Sequence, residues 1–499
     1  MRKTGFALIA LALLAPLGCG PGKFAAEADK GKAGVFRYPI VTNPTTMDPH
    51  KVQDGDTIDL LQQVYEGLVG WSPDNKPVGY LAESWEVSPD GKTYTFKLKE
   101  NAKFHNGRQV TADDVKWSFE RSASPKLASP VSDSYLGGIQ GFSDKFAGRS
   151  QDVSGVKVVD PSHVAITLTK ADRNFLGKLT YLVASVVPKE SFPPEKELSD
   201  VKSAVGSGPF KLKSYQPNQL VVLEAFKEYH AGAPKIETIE RLVLEDATTR
   251  LNKFRGGEVD LVMLERADVS SLEKDPELKP LVHYFPRPSI FYVGMNQLMY
   301  PPFKDVRVRR AFAMAIDKDK IVNELLNGVN SVAYSIVPPN IPGGDRKDAK
   351  SFKYDPEGAK KLLAEAGHAG GKGLPALTMT FRDNRPDIKL VAEAVAGQIK
   401  ANLGVDVKLQ QMEWLAYLDK FNKKQQTFYH MRWAADYADP QNFLSHMLAT
   451  WGPENKLGYN SAVFDGFCRE ADANPDVEKV LPLYAQAEDT ALQLSLIHI

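Results

Sequence analysis

Along SWEVSPDGKTYTFKLK the apolar residues Tyr94, Phe96 and Leu98 alternate with Thr95, Lys97 and Lys99, directly after an SPDG turn. A period of two behind a turn predicts a β-hairpin with one buried and one wet face. VKVVDPSHVAITLT and GPFKLKSYQPNQLVVLEAF repeat the pattern, each broken by a Pro-containing turn between β-branched runs, so antiparallel sheet is expected. Helices alternate with these strands. Thr111 precedes ADDVKWSFERS with Asp114 at the capping-box position, and Asp355-Pro356 joins an N-cap to proline at the first helical position. IERLVLEDATTRLNKFRGGEVDLVML reads strand, helix, Gly-Gly stop, strand. A second such unit runs from the helix after Pro386, through Gly404 and the strand VDVKLQQM, to the helix around Trp414 and the strand TFYHMRWAA. Both are βαβ patterns, which imply parallel sheet in two regions far apart along the chain.

The amino end breaks with these periods. Arg2 and Lys3 precede FALIALALLAPL, an apolar run too short to span a bilayer, so residues 1–19 read as a signal peptide and export is expected. Gly18-Cys19 resembles a bacterial lipoprotein cleavage site, with Pro16 standing where that pattern has an aliphatic residue; Cys19 is therefore the candidate lipidation residue. Residues 20–34 are small, polar and Gly-rich, as a flexible tether is. With Cys19 lipidated only Cys468 remains, and the exported body is expected to fold without a disulfide.

A chain of 499 residues, 43% hydrophobic, holds two or three domains with real cores. Lys plus Arg equals Asp plus Glu at 62 each, without a long like-charge run, so neither a nucleic-acid grip nor a polybasic membrane patch is expected. GHAGGKG lacks the first glycine and the hydroxyl residue of a phosphate-binding loop. His-Glu-x-x-His and G-x-S-x-G are absent from the sequence, and one body cysteine cannot build a thiolate cluster, so no metal is implied. Chemistry concentrates in HMRWAADYADPQNF, where Asp436 and Asp439 lie among Trp433, Tyr437 and Phe443. Paired carboxylates serve acid–base work, metal binding or capture of a cation, and aromatic neighbours favour the last. Asp439-Pro440 is also the form of an ordinary turn. The enzymatic alternative is an exported hydrolase with two carboxylates drawn from Asp436, Asp439 and Glu413, although nothing in the spacing singles out an acid with a raised pKa.

In order along the chain, YEGLVGW, LAESWEVSPDGKTYTFKLKENAKFHNGRQVTADDVKWSFER, GSGPFKLKSY, FRGGEVDL, DVRVRRAFAMAID and RWAADYADPQNFL resemble the peptide and nickel family of bacterial ABC-transporter solute-binding proteins, family 5. The resemblance implies an α/β fold with mixed sheets: a two-lobed periplasmic binding protein clamp of type II, like cluster C, with an extra inserted domain. Lobe I would comprise 35–60 and 181–283, the hairpin-rich insertion 61–180 and lobe II 284–485, with ligand between lobes that close by a hinge. Residues 486–493 would begin a return to lobe I, and LSLIHI at 494–499 reads as a translated sequencing adaptor rather than the family's next strand.

The same resemblance assigns a site. Trp433 and Asp436 match the Trp-x-x-Asp of peptide binders, whose aspartate holds the ligand's ammonium; Trp433 and Tyr437 would line the cleft. Arg382 or Arg385, in FRDNRPDIK, would meet the ligand's carboxylate. Gly206 and Gly208 in GSGPF resemble a hinge-side strand entry, or form a tight turn. The implied partners are a short peptide, permease subunits with a separate ATPase, and a membrane reached through the lipid anchor, for a monomer without cofactor. The family also includes receptors for nickel chelates, haem, oligosaccharides and opines.

Overall fold

The computed structural model describes residues 34–494 and 497–498. The signal core, Cys19 and the tether up to residue 33 lie outside the described residues.

Strands Val35–Arg37, Thr238–Leu242, Leu220–Ala225 and Phe210–Gln216 form one four-stranded sheet in that order, the first pair parallel and the others antiparallel. The hairpin turn between the last two uses Asn218 at φ 61°, a left-handed conformation that asparagine tolerates better than most residues. Leu60, Leu61 and Val64, from the helix Gly55–Leu61 and its continuation, pack with Val187, Val221 and Leu223 in its core. The strand expected over 258–264 does not form. The carboxylate of Asp260 accepts from the Arg37 amide at 2.6 Å, so a side chain takes a place in the ladder that a backbone carbonyl would fill. Leu261 and Met263 are left 45% exposed.

The three expected hairpins are present. Two of them build a separate antiparallel sheet in the order Ala82–Val87, Thr93–Leu98, His163–Thr167, Val156–Asp160. Tyr94, Phe96 and Leu98 face inward, as their alternation predicts, against Phe119 of the helix Ala112–Ser122. That helix starts at Thr111 with a complete capping box to Asp114. Core membership passes from the first sheet to this one between Tyr65 and Leu68 and returns within residues 182–187, because the chain after the helix Gly55–Leu61 still packs under the first sheet.

The third body carries a five-stranded sheet in the order Val407–Met412, Leu377–Arg382, Phe428–Ala434, Ser289–Met295, Ile497–His498. Leu377–Arg382 runs parallel to both its neighbours, which the helices Pro386–Leu403 and Trp414–Asn422 connect. Val391, Val395 and Ile399 cover one face, with Phe312 and Phe428; Tyr417, Phe421, Phe464 and Tyr484 cover the other. Residues 486–493, expected to turn back to lobe I, are instead the last two turns of the helix Val477–Gln493. Ala487, Ala491 and Leu492 point into the second of these cores, and that apolar face holds the helix on this body to its end.

Gly206 and Gly208 are not positive-φ turn residues. A Cβ on Gly206 would lie 1.9 Å from the Val64 carbonyl oxygen and one on Gly208 2.7 Å from that of Gln63, so both positions need glycine for close passage of two backbone segments.

Candidate functional site

The strand Phe428–Ala434 ends at the junction of the three bodies, and the loop after it carries Asp436. Asp436 keeps some accessible surface although protein surrounds its carboxylate, which is the position of a residue lining a cleft rather than a sealed core. Tyr135, 301 residues earlier and in the hairpin body, donates its hydroxyl to Asp436 Oδ2 at 2.5 Å. Tyr181 stacks on Tyr135 at 4.1 Å between centroids, and His446 lies between Tyr135 and Trp433. Burial pushes the Asp436 carboxyl up to about 7, against the lowering effect of the Tyr135 hydroxyl, and Glu454 adds to the rise. An enclosed carboxylate with only neutral donors beside it is a strong acceptor for an ammonium group.

Trp433 is half-buried and donates Nε1–H to Asn442 Oδ1 at 2.8 Å; the same oxygen accepts from the Asp436 amide, so Asn442 fixes the loop on which the carboxylate sits. Tyr437, expected to line the cleft, does not. It is 3% exposed, belongs to the hairpin body's core and hydrogen-bonds Gln441. Asp439 caps the turn Pro440–Asn442, as read from Asp-Pro, and is also held by Arg173. Glu413 caps the helix Trp414–Asn422 through the Leu415 and Ala416 amides. Asp439 and Glu413 are each engaged elsewhere, so the structure does not assemble Asp436, Asp439 and Glu413 into one acid–base site.

Arg382 and Arg385 both reach the facing lobe. Arg385 lies 3.2 Å and Arg382 3.8 Å from Asp56 Oδ2, and Arg382 spreads over the Trp414 ring at 4.0 Å. Asn422 donates to Gln53 at 2.9 Å and Arg266 pairs with Asp387, adding to the polar seam across the cleft. Tyr135, Tyr181, Asn442 and His446 were not singled out in sequence; none stands in a local motif that separates it from an ordinary core residue.

Two lobes, each with a sheet containing parallel strands, an inserted antiparallel body, and a half-enclosed carboxylate and a set of guanidiniums at their junction define a two-lobed solute-binding protein. Comparison with known sequences makes this specific. The chain belongs to the bacterial extracellular solute-binding proteins, family 5, whose middle-region model matches residues 76–455. It is 32% identical over 501 residues to the periplasmic oligopeptide-binding protein OppA of Escherichia coli, covering 97% of this chain and 91% of that protein. To heme-binding protein A of Haemophilus influenzae it is 31% identical over 481 residues, covering 93% and 86%. The fold matches the Escherichia coli murein tripeptide binding protein MppA with a TM-score of 0.84 at 26% identity, over 94% of this chain and 92% of that one. The unliganded open form of MppA gives 0.65 at 25% identity, over 94% and 92%. The conformation here thus differs more from that open form than from the first MppA structure. No helix among the described residues is long and apolar enough to cross a membrane.

Proposed function

We propose that this protein is the receptor of an ABC importer that captures short peptides between its lobes and delivers them to membrane permease subunits served by a separate ATPase. The observation that carries this reading is Asp436, an enclosed carboxylate that neutral neighbours stabilise only in part and for which the free ammonium of a peptide supplies the missing cation. The OppA and MppA relatives are named for peptide ligands, which supports it. Trp433 bounds the ammonium site, and Arg382 and Arg385 are the candidates for the peptide's carboxylate. The protein acts as a monomer on the periplasmic or outer cell-surface side, anchored by lipid on Cys19, and carries out no catalysis.

Calorimetric titration of native and Asp436→Asn protein with free and amino-acetylated di- to pentapeptides tests the reading. Each change alone is expected to weaken binding by about 2–5 kcal/mol, and the two together by little more than one. Equal binding of free and acetylated peptides by native protein overturns the ammonium assignment. Binding of haem or a metal chelate with no peptide bound overturns the peptide reading.

A further inference from the structure

At the other end of the same cleft, guanidiniums outnumber the carboxylates that face them. Arg382 comes from the strand Leu377–Arg382, Arg432 from the adjacent Phe428–Ala434, and Arg385 from the loop after Arg382. Asp56 is the carboxylate they share: it lies within 4 Å of Arg385 and Arg382, and Arg432 stands beside its neighbour Gly55. Asp383, next to Arg382, opposes its neighbour's charge, and the other surrounding acids are engaged. Asp54 accepts from Thr45 and Thr57, Asp59 is paired with Arg241 at 2.9 Å, and Glu265 is paired with Arg250 at 2.7 Å and only grazed by Arg385 at 4.0 Å.

Two guanidiniums keep unused donors. Nε and Nη2 of Arg382 are buried without a hydrogen-bond acceptor among the described residues. The Arg432 guanidinium makes no hydrogen bond or ion pair with a described residue, and because the residue is exposed its donors are open to the cleft rather than buried. The buried donors of Arg382 without acceptors and the clustering of like charges around Asp56 both disfavour the protein as it stands. An anion placed among them relieves both at once, and a planar fork suits a carboxylate.

We propose that this cluster is a site for two anionic groups, so that the ligand is an acidic peptide whose last residue brings its terminal carboxylate and an acidic side chain to Arg382 and Arg432. The inference rests on the peptide reading above and adds to it a preference in charge and length. Arg432 precedes Asp436 by four residues, at most roughly 13 Å of chain at about 3.3 Å per residue. That is the reach of a tri- or tetrapeptide lying extended from ammonium to carboxyl end.

The test is calorimetric titration of the native protein with Ala-Ala-Ala-Glu, Ala-Ala-Ala-Gln and the carboxy-amidated form of each, repeated on Arg432→Gln and Arg382→Gln. The Glu peptide is expected to bind about tenfold or more tighter than the Gln peptide, with a further loss of about tenfold on amidation. Arg432→Gln or Arg382→Gln should erase at least one of these differences. Equal binding of the Glu and Gln peptides by native protein overturns this inference and leaves the peptide reading standing. An acidic preference that survives both substitutions places the anion elsewhere and also overturns it. If none of the four peptides binds, this inference falls, and the titration with di- to pentapeptides decides the peptide reading separately. The comparison among peptides on native protein decides the matter even where a variant fails to fold.

Discussion

The Tyr135 hydroxyl, from the hairpin body, donates at 2.5 Å to the Asp436 carboxylate, on the loop that leaves the third body's sheet. That carboxyl is pushed up to about 7, chiefly by burial, while the unfolded chain ionises near 3.9. Two consequences in pH have definite signs. Between about 4 and 7 the folded state holds a proton that the unfolded state has released, so this group's contribution to stability diminishes as pH rises through that window. Capture of an ammonium requires the ionised form, so peptide affinity should fall about tenfold per unit as pH drops below about 7. Calorimetry from pH 5 to 8 measures the slope. Asp436→Asn should flatten it, and a flat profile in native protein would refute the assignment.

Buried histidines work in the opposite sense. Burial holds His50 and His105 at about 4 and His430 and His446 at about 3, against about 6.5 unfolded. His50 shows why: Arg121 donates to Nδ1 at 2.8 Å while Nε2 lies 3.0 Å from the Ser185 carbonyl, so the neutral ring with its proton on Nε2 satisfies both partners. Four depressed groups contribute stability that is fully present above about pH 6.5 and is lost as pH falls towards 4, while the raised acids Asp54, Asp383, Asp436, Asp472 and Glu454 act in the opposite sense and lessen the net change. The urea midpoint should be clearly lower at pH 4.5 than at pH 7.5. An unchanged midpoint would mean that these rings are not buried neutral.

Arg173 and Asp439 form a bidentate pair, 2.9 and 3.0 Å, with side chains 8% and 7% exposed, and Arg173 also donates to the Ala471 and Asn474 carbonyls. Arg173→Met strands a buried carboxylate and two carbonyls, which should cost roughly 3–5 kcal/mol. Denaturant titration of Arg173→Met, Asp439→Asn and the double variant checks this. The double loss should fall well short of the sum of the single ones.

Two glycine-to-alanine changes should act in opposite directions. Gly206→Ala drives a methyl to within 1.9 Å of the Val64 carbonyl oxygen, where backbone must move, at about 1–3 kcal/mol or more. Gly466→Ala, on the exposed side of the helix Ala462–Ala473 with open space around it, should stabilise by up to about 1 kcal/mol. Thermal denaturation should show the two midpoints moving apart; an unchanged or raised midpoint for Gly206→Ala would argue against the close passage of residues 206 and 64.

Local devices were legible in the sequence because their physics is local. The alternation at Tyr94, Phe96 and Leu98 and the Thr111–Asp114 capping box need only a few neighbouring residues, and both are present. The strand at 258–264 failed because apolar periodicity does not register that Asp260 competes for a ladder position. At the site, Asp-Pro announced the turn at Asp439 but not its ion pair with Arg173, 266 residues away. Tyr437 illustrates the remaining limit: neighbouring aromatics on an irregular loop face opposite ways, and composition gives no sign of which faces ligand.

The loop after Phe428–Ala434 belongs by sequence to the third body, yet Tyr437 is embedded in the hairpin core, Asp439 is clamped by Arg173, and Asn174 donates to Gln441 at 3.1 Å. Across the rest of the cleft, Arg385 meets Asp56 at 3.2 Å with half-buried partners. An opening motion that spares the tighter fastening therefore pivots on this loop as a jaw does on its joint: the arginine end gapes while Asp436 stays beside Tyr135. Solute would then enter with its ammonium leading and leave with its carboxyl end first. Spin-label distances across the arginine end should lengthen on opening far more than those across residues 173 and 439, and equal lengthening at both would rule the pivot out.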